Sequence, residues 1–224
     1  MQDIKCVKIT DPEYPKKLRE SKHAPENLYY VGDLSILEKC VAVIGKRDAS
    51  ERSLSFAYEA GKELAEKDYA VLNGLAVGCD KSAAEGAIEA GGKVIAVMPC
   101  GLDEVYPKCC ESLAENIIAL GGCLISEYPA GIRPEARLFV ERDKIQAALA
   151  DKVISACADL SGGTMHTLRF AKAEGKRMGC FVDDDPSEGN LYAVKTMGAV
   201  KIRNMSDLTR FVREPRYQQM TLSL

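Results

Sequence analysis

An α/β fold is predicted, an extended Rossmann-like three-layer sandwich around a mainly parallel sheet, and three observations predict it. From Cys40 onward, short apolar runs alternate with helical periodicities. Those runs lack the polar alternation of a half-exposed strand, so both faces of the sheet need cover. Three of the runs pass through glycine-containing loops into helices. In a parallel sheet such loops converge at the carboxyl ends of the strands, where amide N–H groups can meet an anion.

Strands are predicted at residues 41–44, 69–72, 94–98, 123–125, 153–156 and 178–182, with a shorter one at 200–202. The clearest helix covers 51–67, where Leu54, Ala57, Tyr58, Gly61, Leu64 and Ala65 recur at three- and four-residue spacing. Ahead of this core, Asp11-Pro12 reads as a helix start and Leu28-Tyr29-Tyr30-Val31-Gly32 as a strand ended by glycine. After Asp183-Asp184-Asp185-Pro186 a helix is expected, and another from Ser206. The chain divides into a short N-terminal extension packed on the core (1–39), a Rossmann-like domain (40–212) and a C-terminal tail (213–224) ordered on a partner.

The 224 residues, 46% hydrophobic and 28% charged, can bury a full core. A formal charge of −3 excludes a protein coated in basic residues, while a local basic groove stays open. No apolar run approaches membrane-spanning length and the first ten residues lack a signal-peptide core, so a cytoplasmic protein is expected. Nine cysteines are scattered without a CxxC and read as core or surface thiols. With His23 and His166 the only histidines, no metal site and no cofactor are expected.

The three loops are the candidate site. Gly45-Lys46-Arg47 follows a buried strand, and its arginine can fork onto a phosphate, the alternative being a tight turn with solvated cations. In Asn73-Gly74-Leu75-Ala76-Val77-Gly78-Cys79-Asp80, Gly74 and Gly78 permit positive φ. Asp80 caps the next helix, or orients the loop or a ribose hydroxyl. Ser161-Gly162-Gly163-Thr164 opens a helix and forms an anion cradle, with an unliganded capping turn as its alternative. Between them, residues 135–151 offer Arg142 and Lys144 as a basic wall beside Phe139, diluted by Glu141 and Asp143; the alternative is a solvated helix start. No nucleophile has a histidine beside it, and Glu127 is a base candidate by position alone, equally suited to pairing with Arg142 or capping a turn. No enzyme activity is expected.

These loops, in this order, resemble the DNA-processing protein A family (DprA, also called Smf). The resemblance spans more than four fifths of the chain. It includes Ala42-Val43-Ile44-Gly45-Lys46-Arg47, Gly101-Leu102-Asp103-Glu104-Val105-Tyr106-Pro107, Ile125-Ser126-Glu127-Tyr128-Pro129-Ala130-Gly131, Ser161-Gly162-Gly163 and Gly189-Asn190-Leu191. It implies an extended Rossmann domain that binds single-stranded DNA and hands it to a RecA-type recombinase in natural transformation, a homodimer, and no established catalysis. Carried over by position, Arg47, Arg142 and Lys144 contact DNA phosphates, and Ser161, Gly162 and Gly163 line the same pocket.

The chain departs from the family pattern at Lys46, Ala84, Asp143, Ser155, His166 and Arg169. Asp143 stands between the two cations, where an acid opposes DNA unless it is paired. The helical N-terminal domain of longer members is expected to be vestigial and a C-terminal winged helix lacking. The competing reading is a nucleotide-binding or phosphoribohydrolase-like protein of the related Lonely-guy-type fold. That family's motif ends in a catalytic glutamate, whereas here no acid follows Thr164 before Glu174.

Overall fold

A computed structural model describes residues 3–214. Its nine strands form one sheet in the order β1-β2-β6-β5-β4-β3-β7-β8-β9. The core strands are β3 (Cys40–Ile44), β4 (Ala70–Asn73), β5 (Val94–Val97), β6 (Cys123–Ser126), β7 (Lys152–Ser155), β8 (Arg177–Phe181) and β9 (Val200–Ile202), all parallel. The predicted strands are therefore present, each within a residue or two of its expected ends.

Alternate residues of β3 enter different cores, as a pleated strand requires. Val41 and Val43 pack under α2 (Glu51–Ala65), α3 (Cys79–Glu89), α4 (Glu111–Ala119) and α8 (Met205–Arg213). Ala42 and Ile44 pack under α5 (Ala136–Leu149) and α6 (Gly163–Ala173), with the N-terminal segment. This is the three-layer sandwich. The chain winds outward from β3 to β6, then returns through α5 to place β7 beside β3, with Val41 opposite Lys152 and Ile44 opposite Ser155. Right-handed crossovers put helices of opposite winding on opposite faces, so the carboxyl ends of β3 and β7 part and leave a crevice.

Sequence reading missed β1 (Lys5–Lys8), a four-residue strand that buries only Val7. It pairs antiparallel with β2 (Asn27–Gly32), which pairs antiparallel with β6, so the extension continues the sheet. Asp11 does not start a helix: its carboxylate accepts the Lys8 amide at 2.8 Å and turns the chain after β1. One helical turn, α1 (Lys16–Arg19), forms only after Pro15. On α2, Phe56 and Ala60 join the buried face in place of Tyr58, whose hydroxyl reaches Glu89 on α3. After the acidic turn comes the short α7 (Glu188–Tyr192). Except for Arg213 and Glu214, the expected tail lies outside the described residues.

Helices α2 and α3 approach through glycine. A Cβ on Gly61 would lie 2.1 Å from the Ala83 carbonyl oxygen, and one on Gly86 would lie 2.0 Å from the Tyr58 carbonyl oxygen. Gly61→Ala is expected to force the helices apart and destabilise the fold by about 1–3 kcal/mol. A urea titration reads this as a lower midpoint at unchanged slope; an unchanged midpoint contradicts the close packing.

Candidate nucleic-acid interface

At the switch point between β3 and β7 lies a cleft of about 490 Å³. It is lined by Gly45, Lys46 and Arg47 after β3, by Phe139, Arg142 and Asp143 of α5, and by Ser161 to Thr167 at the start of α6. A smaller recess joins Arg47, Gly74, Tyr106, Phe139 and Arg142. The first and last of the three predicted loops thus face each other, and the middle one reaches the cleft through Ala76 and Asp80.

The loops differ in what their backbones are free to do. In the first, a Cβ on Gly45 would lie 2.5 Å from the Cys79 side chain, so this glycine serves packing and not ligand approach. Its amide is directed to the Asp80 carboxylate, and that of Lys46 to the Cys157 sulfur. The Lys46 and Arg47 side chains line the cleft. Lys46 pairs with Asp159 at 2.9 Å. Arg47 is exposed, its guanidinium 5.4 Å from the Phe139 ring centre. Among the described residues no carboxylate forms an ion pair with it.

The second loop is occupied by the protein itself. Gly74 does not take positive φ; Leu75 does, at 53°, with its amide held by the Asn73 side chain at 3.0 Å. Gly74 is needed because a Cβ there would overlap the Arg142 guanidinium, 1.1 Å from Nη1. Gly78 has a φ of 85° and lets α3 start against the Lys46 and Arg47 carbonyls. Asp80 reaches back instead of capping α3, accepting the amides of Gly74 at 3.0 Å and Ala76 at 3.4 Å. That is the loop-orienting alternative.

The third loop is open. A Cβ on Gly162 would meet nothing within 4 Å, and one on Gly163 only Asp143 Oδ2 at 3.7 Å. Ser161, Gly162 and Gly163 are exposed, and no side chain caps α6. Uncapped amides and the helix dipole together favour an anion here.

Beneath the cleft, Arg142 is 7% exposed and lies 3.2 Å from Asp143, while its Nη1 donates to the Val97 carbonyl at 3.4 Å. Burial raises the Asp80 carboxyl above the usual range, against the pull of Arg142 and of the loop amides. Burial likewise pushes Asp143 up to about 6, opposed by Arg142, reinforced by Asp80 and opposed again by the Thr167 hydroxyl and Arg47. The acid that departs from the family pattern is therefore paired. Three cations face Asp48, Asp80, Asp143 and Asp159 in this cleft, so it is not a basic groove. Arg47 is the cation with free reach.

Lys144 is not brought to the cleft. It pairs with Glu141 at 2.6 Å and lies over the Phe170 ring on the far side of α5. Glu127 also lies elsewhere: burial raises its carboxyl and it meets the Tyr128 hydroxyl, not Arg142. His166 lines the cleft with no nucleophile paired to it among the described residues. Sequence reasoning missed Asp159, whose pairing with Lys46 is long-range and carries no local signal. Asn190 enters the sequence reading only within a family stretch, without its role: it accepts the Ser155 hydroxyl at 2.7 Å and donates to the Ser155, Ala156 and Phe181 carbonyls, fixing the ends of β7 and β8.

The sequence profile described as DNA recombination-mediator protein A matches residues 5–213. The chain belongs to this family. DNA processing protein DprA from Streptococcus pneumoniae is 35% identical over 176 residues, which make up 78% of this chain and 62% of that protein. The chain thus spans less than two thirds of that relative, and 51% of the putative DprA from Mycobacterium tuberculosis. The X-ray structure of the S. pneumoniae protein superposes with a TM-score of 0.84 at 31% identity, covering 93% of this chain and 74% of that one. DprA from Helicobacter pylori, studied for its single-stranded DNA binding mode, also gives 0.84, at 28% identity, covering 93% and 95%. The resemblance and the Rossmann-like fold read from the motifs both hold.

The buried cluster and the exposed arginine should respond differently to mutation. Arg142→Ala strands two buried carboxylates and is expected to cost roughly 3–5 kcal/mol of stability, read by urea unfolding; a loss below about 1 kcal/mol contradicts the cluster. Protonating Asp143 removes a negative charge under the cradle. Phosphate affinity, measured calorimetrically, should therefore rise as pH falls through about 6. One linked proton gives at most about tenfold per pH unit. Asp143→Asn should flatten that dependence; an unchanged profile assigns the proton elsewhere.

Proposed function

We propose that the chain binds single-stranded DNA through the switch-point cleft, holding a backbone phosphate between the α6 amides and Arg47. The observation that carries this is the uncapped Ser161-Gly162-Gly163-Thr164 turn across the cleft from an exposed arginine that no carboxylate among the described residues ion-pairs. Phe139 is only half-buried and meets the Tyr106 ring edge-on at 5.6 Å, with Tyr106 37% exposed. These rings offer a base stacking surface beside the phosphate, which a single strand can use and a paired duplex cannot. Family membership and the DNA-binding relative from H. pylori support the same ligand.

The role is binding without chemistry: no acid follows the cradle at the place a phosphoribohydrolase needs one. Two further proposals rest on the resemblance, a homodimer and delivery of the bound strand to a RecA-type recombinase. Sedimentation tests the first, and strand-exchange rate with and without this protein tests the second. No helix among the described residues is long and apolar enough to cross a membrane, and we place the protein in the cytoplasm, which fractionation tests.

Arg47→Ala should weaken binding of a labelled oligonucleotide by about tenfold or more, the worth of one charge-assisted contact. The slope of log affinity against log salt should fall by about 0.7, with stability unchanged within about 0.5 kcal/mol. Fluorescence anisotropy across a salt series measures both. Unchanged affinity sinks the assignment, and tight binding of free AMP without oligonucleotide binding turns it toward the nucleotide-binding alternative.

A further inference from the structure

Directly under the first loop, two cysteines meet that are far apart in sequence. Cys79 is the first residue of α3, Cys157 follows β7, and their sulfurs lie 3.6 Å apart. A disulfide requires about 2 Å, so the pair is a short closing motion from a bond. Both are reduced here, Cys79 fully buried and Cys157 5% exposed.

The surroundings make the two sulfurs unequal. The Cys157 thiol is drawn down by a hydrogen bond from Cys79, against its burial, and further by the Lys46 amide, the Ser53 hydroxyl and the Lys46 charge. The Cys79 thiol is driven up, chiefly because its proton is held toward Cys157 and then by burial. Cys157 keeps the little exposure there is and faces the Lys46 amide and charge, which favour a thiolate on that sulfur. That is the arrangement of an attacking and a resolving thiol.

We propose that Cys79 and Cys157 form a peroxide-oxidisable dithiol whose closure moves the Gly45-Lys46-Arg47 loop. The Cys157 thiolate attacks one peroxide oxygen, the O–O bond breaks, and sulfenic acid and hydroxide form. The Cys79 sulfur then attacks the Cys157 sulfur, the S–O bond breaks, and the hydroxyl leaves with the Cys79 proton as water. Two thiols are oxidised by one peroxide, which is reduced to water. The loop must respond because it is packed on the pair. A Cβ on Gly45 would lie 2.5 Å from Cys79 Sγ, and the Cys79 amide donates to the Lys46 carbonyl at 3.2 Å. Closure also removes the thiolate that the Lys46 amide faces.

Any effect on DNA rests on the proposed function of the cleft, so the test separates the two. The full chain is treated with hydrogen peroxide, mapped by peptide mass spectrometry, and compared with the reduced form by amide hydrogen exchange. The expected result is a Cys79–Cys157 cross-linked peptide, faster exchange at Lys46 and Arg47, and reversal of both by dithiothreitol. Oligonucleotide affinity should fall several-fold in the oxidised form. Oxidation confined to the exposed Cys6 and Cys109, or sulfinic acid at Cys157 without a cross-link, overturns the dithiol. A cross-link with unchanged exchange overturns its coupling to the loop. If cross-link and exchange change together but oligonucleotide binding does not, the dithiol stands and the placement of DNA against this loop fails.

Discussion

One buried guanidinium holds the switch point together. Arg142 occupies the space that Gly74 leaves, donates to the end of β5, and faces Asp80 and Asp143. Asp80 in turn gathers the amides of Gly45, Gly74 and Ala76, while Asp143 meets Thr167 and lies under Gly163. Loops after β3 and β4, the starts of α3 and α6, and the middle of α5 are thereby tied to one charge. Removing water from such a charge is expensive unless it is paired, and Arg142 Nε, 3.2 Å from Asp143, has no hydrogen-bond partner, so the charge leans on the carboxylates that hold the loops.

That constraint divides the labour among three loops that look alike in sequence. Two spend their glycines and amides on internal contacts: Gly45 against Cys79, Gly74 against Arg142, Gly78 against the Lys46 and Arg47 carbonyls. The third spends nothing, and its amides stay exposed at the end of a helix without a side-chain cap. The cleft therefore presents open amides on one wall and the exposed Arg47 side chain on the other. Pre-organisation of this kind lowers the ordering cost of binding. Of the cleft's carboxylates, Asp80 and Asp143 lie buried beside Arg142, while Asp159 pairs with Lys46 nearer the surface.

The architecture was legible because it is written locally. Strands such as Cys40–Ile44 are apolar throughout since both faces are covered, and Glu51–Ala65 carries its period in the sequence. Clustering of loop motifs and aligned family stretches pointed to the cleft between β3 and β7. What stayed hidden is non-local. Nothing near Gly74 indicates that it is small to admit an arginine from α5, and nothing near Lys46 indicates Asp159. Lys144, next but one to Arg142, lies on the other side of the helix, because residues two apart on a helix do not share a face. The Cys79–Cys157 contact exists only once α3 and β7 are adjacent.

The central claim is where the ligand sits, and amide chemical-shift mapping with a short single-stranded oligonucleotide tests it most directly. The account predicts the largest shifts at Ser161, Gly162, Gly163 and Thr164, followed by the Arg47 side chain, with Gly74 and Gly78 moving little. Largest shifts in the groove between Lys5, Lys16 and Tyr30 at the sheet edge, with the α6 cradle unmoved, would contradict it.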